Sequence, residues 1–251
     1  MCTTCGCSSD EPAQIKKPGF QAKSLAIAGP PQKQLHLLER DVLHKNDHDA
    51  AHNRQHFEKK HVLAINLVSS PGSGKTTLLE KTIEALKNEV LFHVLEGDQQ
   101  TSLDANRIEA TGAPVLQINT GKGCHLDASM VHRALHTMPP AEHSVLMIEN
   151  VGNLVCPALF DLGEKYRVVI ISVTEGEDKP LKYPNMFESA DICIINKTDL
   201  LPYVEFDVEK AKEYALRVNH KLTFFELSAT KGQGMNNWLN WLRQEHAAIP
   251  V

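Results

Sequence analysis

Seven largely apolar runs punctuate the chain, at 62–68, 90–95, 115–118, 144–148, 168–173, 192–195 and 222–227. Most are continuous rather than alternating, the pattern of strands covered on both faces. Between them, segments 77–87, 104–110, 127–137, 208–219 and 235–246 carry apolar residues at helical spacing. A further helix is expected from Gln34 to Glu58, with Leu35, Leu38, Val42 and Phe57 among its apolar positions. Strands alternating with helices predict an α/β fold, a doubly wound and mostly parallel sheet with helices on both faces. In such a sheet the loops leaving the carboxyl ends of the strands meet in one crevice, so the polar residues there carry the chemistry.

The loop after the first run is Ser69-Ser70-Pro71-Gly72-Ser73-Gly74-Lys75-Thr76-Thr77. A glycine-rich loop between strand and helix is the context of a P-loop, whose backbone N–H groups and helix N-terminus face phosphates. Gly72, Ser73, Gly74, Lys75, Thr76 and Thr77 are therefore the phosphate-binding candidates. Lys75 would reach the β- and γ-phosphates and the Thr76 hydroxyl would ligate Mg²⁺. Ser69 stands where this motif usually has its first glycine.

The second run leads into Glu96-Gly97-Asp98-Gln99-Gln100-Thr101, where Asp98 is the candidate to hold Mg²⁺ or orient the attacking water. The fourth leads into Glu149-Asn150-Val151-Gly152, a [DE]-x-x-G pattern. There Glu149 would act through the Mg²⁺ shell and the Gly152 N–H would meet the γ-phosphate. After the sixth run, Asn196-Lys197-Thr198-Asp199 is an N-K-x-D sequence that reads guanine. Asp199 would accept from the base N1–H and 2-amino group, with Asn196 supporting the loop and the Lys197 stem on the ring. Adenine would leave that carboxylate unpaired. Ser228-Ala229-Thr230 resembles the S-A-x loop whose backbone N–H meets guanine O6. Lys75, Asp98 and Glu149 are the catalytic candidates, and hydrolysis would proceed by positioning and charge neutralisation. No arginine finger is identifiable, so turnover should be slow.

Cysteine and histidine placement adds metal chemistry. Cys124-His125 lies on a glycine-rich loop, and Cys156 follows Gly152 by four residues; together they offer three ligands. Cys2, Cys5 and Cys7 form a C-x-x-C-x-C cluster able to wrap one soft metal ion, the alternative being a redox-active thiol group. A square-planar N/S set suits Ni²⁺ and a thiolate-rich tetrahedral one suits Zn²⁺. Cys193 sits within an apolar run and reads as core. His44, His48, His52 and His56 recur every fourth residue among polar neighbours, which reads as a solvated face whose i, i+4 pairs could chelate a divalent ion.

Composition bounds the rest. A chain of 251 residues, 42% hydrophobic, accommodates one sizeable α/β domain plus appendages. Residues 1–34 read as a cysteine metal motif followed by a flexible Pro/Gly linker, and 35–251 as the P-loop domain with its leading helix. No apolar run approaches the ~18–20 residues of a membrane span, and the first residues lack signal-peptide character. The expectation is a cytoplasmic protein with no membrane partner. A net charge of −5 gives no footprint for nucleic acid.

The combined pattern resembles the HypB family of hydrogenase nickel-incorporation GTPases. It rests on S-S-P-G-S-G-K-T-T, E-G-D-Q-Q-T, G-K-G-C-H at 121–125, E-N-V-G-N-L-V-C-P at 149–157 and N-K-T-D-L-L-P-Y at 196–203. The resemblance covers residue 35 to the C-terminus, and Cys2, Cys5 and Cys7 match a motif of some members. It implies GTP/GDP and Ni²⁺ as ligands, a GTP-dependent homodimer, and a metal site from Cys124, His125 and Cys156 near the subunit interface. It also implies service in [NiFe] hydrogenase maturation with the nickel chaperone HypA and the hydrogenase large-subunit precursor. A urease-type accessory GTPase and a nickel-buffering protein with a vestigial GTPase are the alternatives.

Overall fold

The computed structural model describes residues 32–98, 103–121 and 123–250, with side chains from residue 40 onward. The Cys2, Cys5 and Cys7 cluster and the linker lie outside the described residues, as do Gln99 to Ser102 and Lys122. The strands are β1 (Leu63–Ser69), β2 (Phe92–Asp98), β3 (Val115–Asn119), β4 (Val145–Glu149), β5 (Tyr166–Ser172), β6 (Ile192–Asn196) and β7 (Thr223–Glu226). The helices are α1 (Gln32–Lys59), α2 (Lys75–Leu86), α3 (Leu103–Glu109), α4 (Ala128–Thr137), α5 (Lys179–Lys182), α6 (Pro184–Glu188), α7 (Val208–Val218) and α8 (Met235–Ala247). All strand pairings are parallel, in the order β3-β2-β4-β1-β5-β6-β7. The expected doubly wound α/β class is thus the observed one.

Sheet faces follow from strand alternation. Leu63, Ile65 and Leu67 of β1 face α2 and α8, where Leu79, Ile83, Trp238 and Leu242 are buried. Within that layer the Trp238 indole N–H donates to Thr82 Oγ1 at 2.9 Å, satisfying its polar atom inside the core. On the opposite face Ala64, Leu146 and Ile148 pack with Phe57 of α1 and with Val131 and Leu135 of α4. Farther along that face, Val169 and Ile171 meet α6 and α7. Among the described residues no helix is long and apolar enough to cross a membrane.

Helix α1 departs from its expected face. Val42, one of its expected apolar positions, is 44% exposed, whereas the buried stripe is Asn46, Ala50, Asn53 and Phe57. Two of those four are amides, so the hydrophobic pattern could not reveal the seam. Asn46 Nδ2 donates to the Asp161 carbonyl at 2.8 Å, and Asn46 Oδ1 accepts from the Ala128 N–H at 2.9 Å. Asn53 Nδ2 donates to the carbonyls of Ala128 (2.9 Å) and Leu162 (3.1 Å). Gly163 adopts φ +90°, and a Cβ there would stand 2.7 Å from the Ala50 carbonyl oxygen, so α1 requires a glycine beneath it. The short helices α5 and α6, interrupted by Pro180 and Pro184, carry too few residues for a periodic signal.

Candidate functional site

The P-loop, the ends of β2 and β4, and the loops after β6 and β7 meet at the carboxyl edge of the sheet. They border a cleft of about 450 Å³ lined by Pro71 to Thr77, Asp104, Arg107, Glu149, Gly152 and Lys197. Gly72 (φ +76°) and Gly74 (φ +95°) turn the chain into α2, whose N-cap makes no side-chain hydrogen bond. The first amides of α2 are thereby left for an anionic ligand. Ser69 replaces glycine without penalty, because it is not among the residues with positive φ. Its hydroxyl accepts from Lys75 Nζ at 3.1 Å and donates to the Ser70 carbonyl at 2.7 Å, which orients the lysine.

Two carboxylates stand beneath this loop. Thr76 Oγ1 donates to Glu149 Oε1 at 2.6 Å. Glu96 of β2 is the cross-strand partner of Glu149, and both side chains are buried. Burial, then the charges of Glu149 and Asp98, pushes the Glu96 carboxyl up to about 8. Burial raises Glu149 as well, opposed by Lys75 and the Thr76 hydrogen bond. Glu96 Oε2 and Glu149 Oε2 are buried and have no hydrogen-bond partner among the described residues. A hydroxyl beside two under-satisfied carboxylates is a donor set that fits a hard oxygen-loving cation such as Mg²⁺. Asp98, the expected acid, lies at the rim and is half-exposed, with its carbonyl accepting from the Thr120 N–H at 3.0 Å. Glu96 is therefore the residue that sequence reasoning missed, although it precedes Asp98 by one pleat in the same E-G-D segment. Arg107 was missed too. It lines the cleft and donates to Thr77 Oγ1 at 3.0 Å and Glu80 Oε2 at 2.7 Å.

The loops after β6 and β7 are braced on the P-loop. Asn196 Nδ2 donates to the Ser73 carbonyl at 2.9 Å, and Lys197 Nζ to the Gly72 carbonyl at 2.7 Å. Lys197 holds φ +62°, a conformation rare for a side-chain-bearing residue. Asn196 Oδ1 accepts from the Lys197 and Ala229 amides at 2.8 and 3.1 Å, joining N-K-x-D to Ser228-Ala229. The Ser228 N–H donates to the Gln233 carbonyl. The amides of Ser228 and Ala229 thus shape the loop that follows β7. Asp199 is half-buried at the start of a 3₁₀ turn, Thr198–Tyr203. Gly152 passes close to the P-loop, since a Cβ there would stand 3.2 Å from the Pro71 Cα.

Cys124, His125 and Cys156 converge as expected, their ligand atoms all within 4.8 Å of one another. Cys124 Sγ is 3.7 Å from His125 Nδ1 and 2.7 Å from Cys156 Sγ. Burial lowers the His125 pKa and so favours the neutral, ligating imidazole; its ring packs on Phe160 with centroids 4.0 Å apart. Two thiols and an imidazole suit a soft or borderline divalent ion. Asn150 ties this group to the nucleotide cleft. Its Oδ1 accepts from the Leu126 N–H at 3.0 Å, on the loop bearing His125, and its Nδ2 donates to Asn66 Oδ1 of β1 at 3.3 Å. The remaining thiol among the described residues, Cys193, is buried in β6 and pushed up to about 12, consistent with core. His44, His48 and His52 face solvent; His56 turns inward.

Residues 63–226 match the model of the CobW/HypB/UreG nucleotide-binding domain. The hydrogenase maturation factor HypB of Azotobacter vinelandii is 48% identical over 98% of this chain and 92% of its own length. The chain belongs to the HypB family. Two solved HypB structures share its fold. That from Archaeoglobus fulgidus is 41% identical, with TM-score 0.75 over 80% of this chain and 98% of that one. That from Helicobacter pylori, in complex with nickel, is 40% identical with TM-score 0.76, covering 81% of this chain and 95% of that one. Residues 63–226 are thus a nucleotide-binding domain of the CobW/HypB/UreG type.

Proposed function

We propose that this protein is a GTP-hydrolysing metallochaperone that delivers nickel during [NiFe] hydrogenase maturation. The observation that carries the reading is that one short segment serves two sites. It starts at Glu149, bonded to Thr76, and ends at Cys156, facing Cys124. In this reading Lys75 and the first amides of α2 hold the phosphates, and Asp199, held by the Asn196 brace, selects guanine. Thr76, Glu149 and Glu96 would hold Mg²⁺, which would neutralise charge on the β- and γ-phosphates. Gly152 senses the γ-phosphate, and its rearrangement moves Cys156. Nickel is the cargo, taken by Cys124, His125 and Cys156, with Zn²⁺ the competing occupant.

Val155 and Leu159, 51% and 43% exposed beside Cys156, supply apolar surface for a GTP-dependent homodimer. The nickel-bound structure of the H. pylori relative supports the metal assignment. In this reading the nickel chaperone HypA and the hydrogenase large-subunit precursor are the partners, and the cytoplasm is the setting. Cys2, Cys5 and Cys7 form a separate nickel site.

The test is nickel affinity with GDP and with a non-hydrolysable GTP analogue, for the Cys2, Cys5 and Cys7 alanine variant with and without Cys156→Ala. We expect nucleotide-dependent affinity that Cys156→Ala abolishes. Equal affinity in both nucleotide states removes the coupling. By linkage, metal must alter nucleotide affinity by the same factor.

A further inference from the structure

Outside the nucleotide cleft and the Cys124 group, the seam between α1 and α4 gathers three histidines. His132 and His136 lie one turn apart on α4, their Nε2 atoms 3.2 Å apart. Two imidazole nitrogens each about 2.0–2.1 Å from one ion stand roughly 2.9–3.4 Å apart for right-angle to tetrahedral geometry. The observed spacing lies inside that window.

The tautomer is also set. Asn53 spends both amide hydrogens on the carbonyls of Ala128 and Leu162, so its Oδ1 can only accept. That oxygen lies 3.3 Å from His132 Nδ1, which must therefore carry the proton. His132 Nε2 is left with its lone pair aimed at His136. An oriented imidazole whose far N–H is held by a fixed carbonyl is the arrangement found behind metal-ligating histidines. His136 either donates its own Nε2–H to that lone pair or, as the other tautomer, adds a second lone pair that a cation between the rings can take up. His56 of α1 feels both rings electrostatically, and its buried Nε2 has no hydrogen-bond partner among the described residues.

We propose that His132 and His136, oriented by Asn53, form a second metal site for a divalent first-row transition ion. Imidazole donors suit Ni²⁺, Zn²⁺ and Cu²⁺. No sulfur is involved, so the site is chemically distinct from the Cys124 group and independent of the nucleotide.

Nickel binding to the full-length protein by equilibrium dialysis tests this, with thiolate-to-nickel absorption recorded in parallel. His132→Ala and His136→Ala fall on the exposed side of α4, where alanine is the best helix former, so both variants keep the fold. We expect each to lose one equivalent of Ni²⁺ while the thiolate absorption and GTP turnover stay at wild-type values. His48→Ala is the control, since His48 and His52 are another i, i+4 pair, with ring centroids 4.7 Å apart. It should cost no equivalent. Unchanged stoichiometry in the His132 and His136 variants, leaving an ordinary N–H···N hydrogen bond between the rings, would overturn the proposal. So would an equal loss in His48→Ala, which would mark surface chelation.

Discussion

The Asn196 side-chain amide donates to the Ser73 carbonyl at 2.9 Å, so the N-K-x-D loop is fastened to the glycine-rich loop. Gly74 passes so close beneath that a Cβ would stand 2.6 Å from Asn196 Nδ2. Asn196→Asp keeps the acceptor for Lys197 and Ala229 but turns a carboxylate against the Ser73 carbonyl. A buried group left unsatisfied costs about 1–3 kcal/mol. Denaturant unfolding should show a loss of that size, and nucleotide titration at least a tenfold drop in GTP affinity. Unchanged GTP binding would show that the brace is not what positions the two loops.

Base selection should rest on Asp199. Asp199→Asn reverses the donor pattern at the base edge, so preference should move from GTP towards xanthosine triphosphate. Competition titrations with both nucleotides check it, and a variant that still prefers GTP refutes the assignment.

The buried Glu96 makes the metal-free protein sensitive to alkali. Its folded-state pKa of about 8 lies above the ordinary 4.5. Between those values the folded chain holds a proton that the unfolded chain has lost. The associated stability is fully present below about 4.5 and is lost as pH rises through 8. Glu96→Gln should flatten that decline, raising stability at pH 9 by roughly 1–3 kcal/mol relative to wild type. It should also slow GTP turnover by removing a carboxylate from the Mg²⁺ cradle. Parallel pH-stability curves for the two proteins would contradict the burial argument. Mg²⁺ uptake at pH 7 should release protons, which calorimetry in buffers of different ionisation enthalpy would detect.

Asn150 should transmit between the sites. Asn150→Ala frees the Leu126 amide and cuts the link to Asn66. The expected result is a stability loss of about 1–3 kcal/mol, with nickel affinity no longer dependent on nucleotide. Retained dependence would assign the coupling to the Gly152–Cys156 backbone alone.

Most of the nucleotide cleft was legible because each motif sits at the end of an apolar strand, and a parallel sheet brings such ends together. The Cys124, His125 and Cys156 convergence was legible for the same reason. What escaped was set by polar packing. Glu96 reads as a loop acid until its register with Glu149 is known. The amides of Ser228 and Ala229 turn out to be bonded within the protein. Asn46 and Asn53 sit where the helical pattern asks for aliphatic residues, so the apolar positions alone, Val42 among them, do not locate the buried face. His132 carries no signal in the sequence, because the Asn53 side chain that meets it belongs to another helix.

The amide seam has a mechanical consequence. An interface of oil-like side chains resists separation because parting it wets apolar surface, whereas the bonds of Asn46 and Asn53, and those of Arg54 to the Asp161 carboxylate at 2.8 and 2.9 Å, are ones that water can replace. Only Ala50 and Phe57 resist wetting along this stretch. Helix α1 is therefore a clasp rather than a beam. It closes with defined register, yet it opens at less cost than unfolding the sheet, and its amides should exchange with solvent before those of β1.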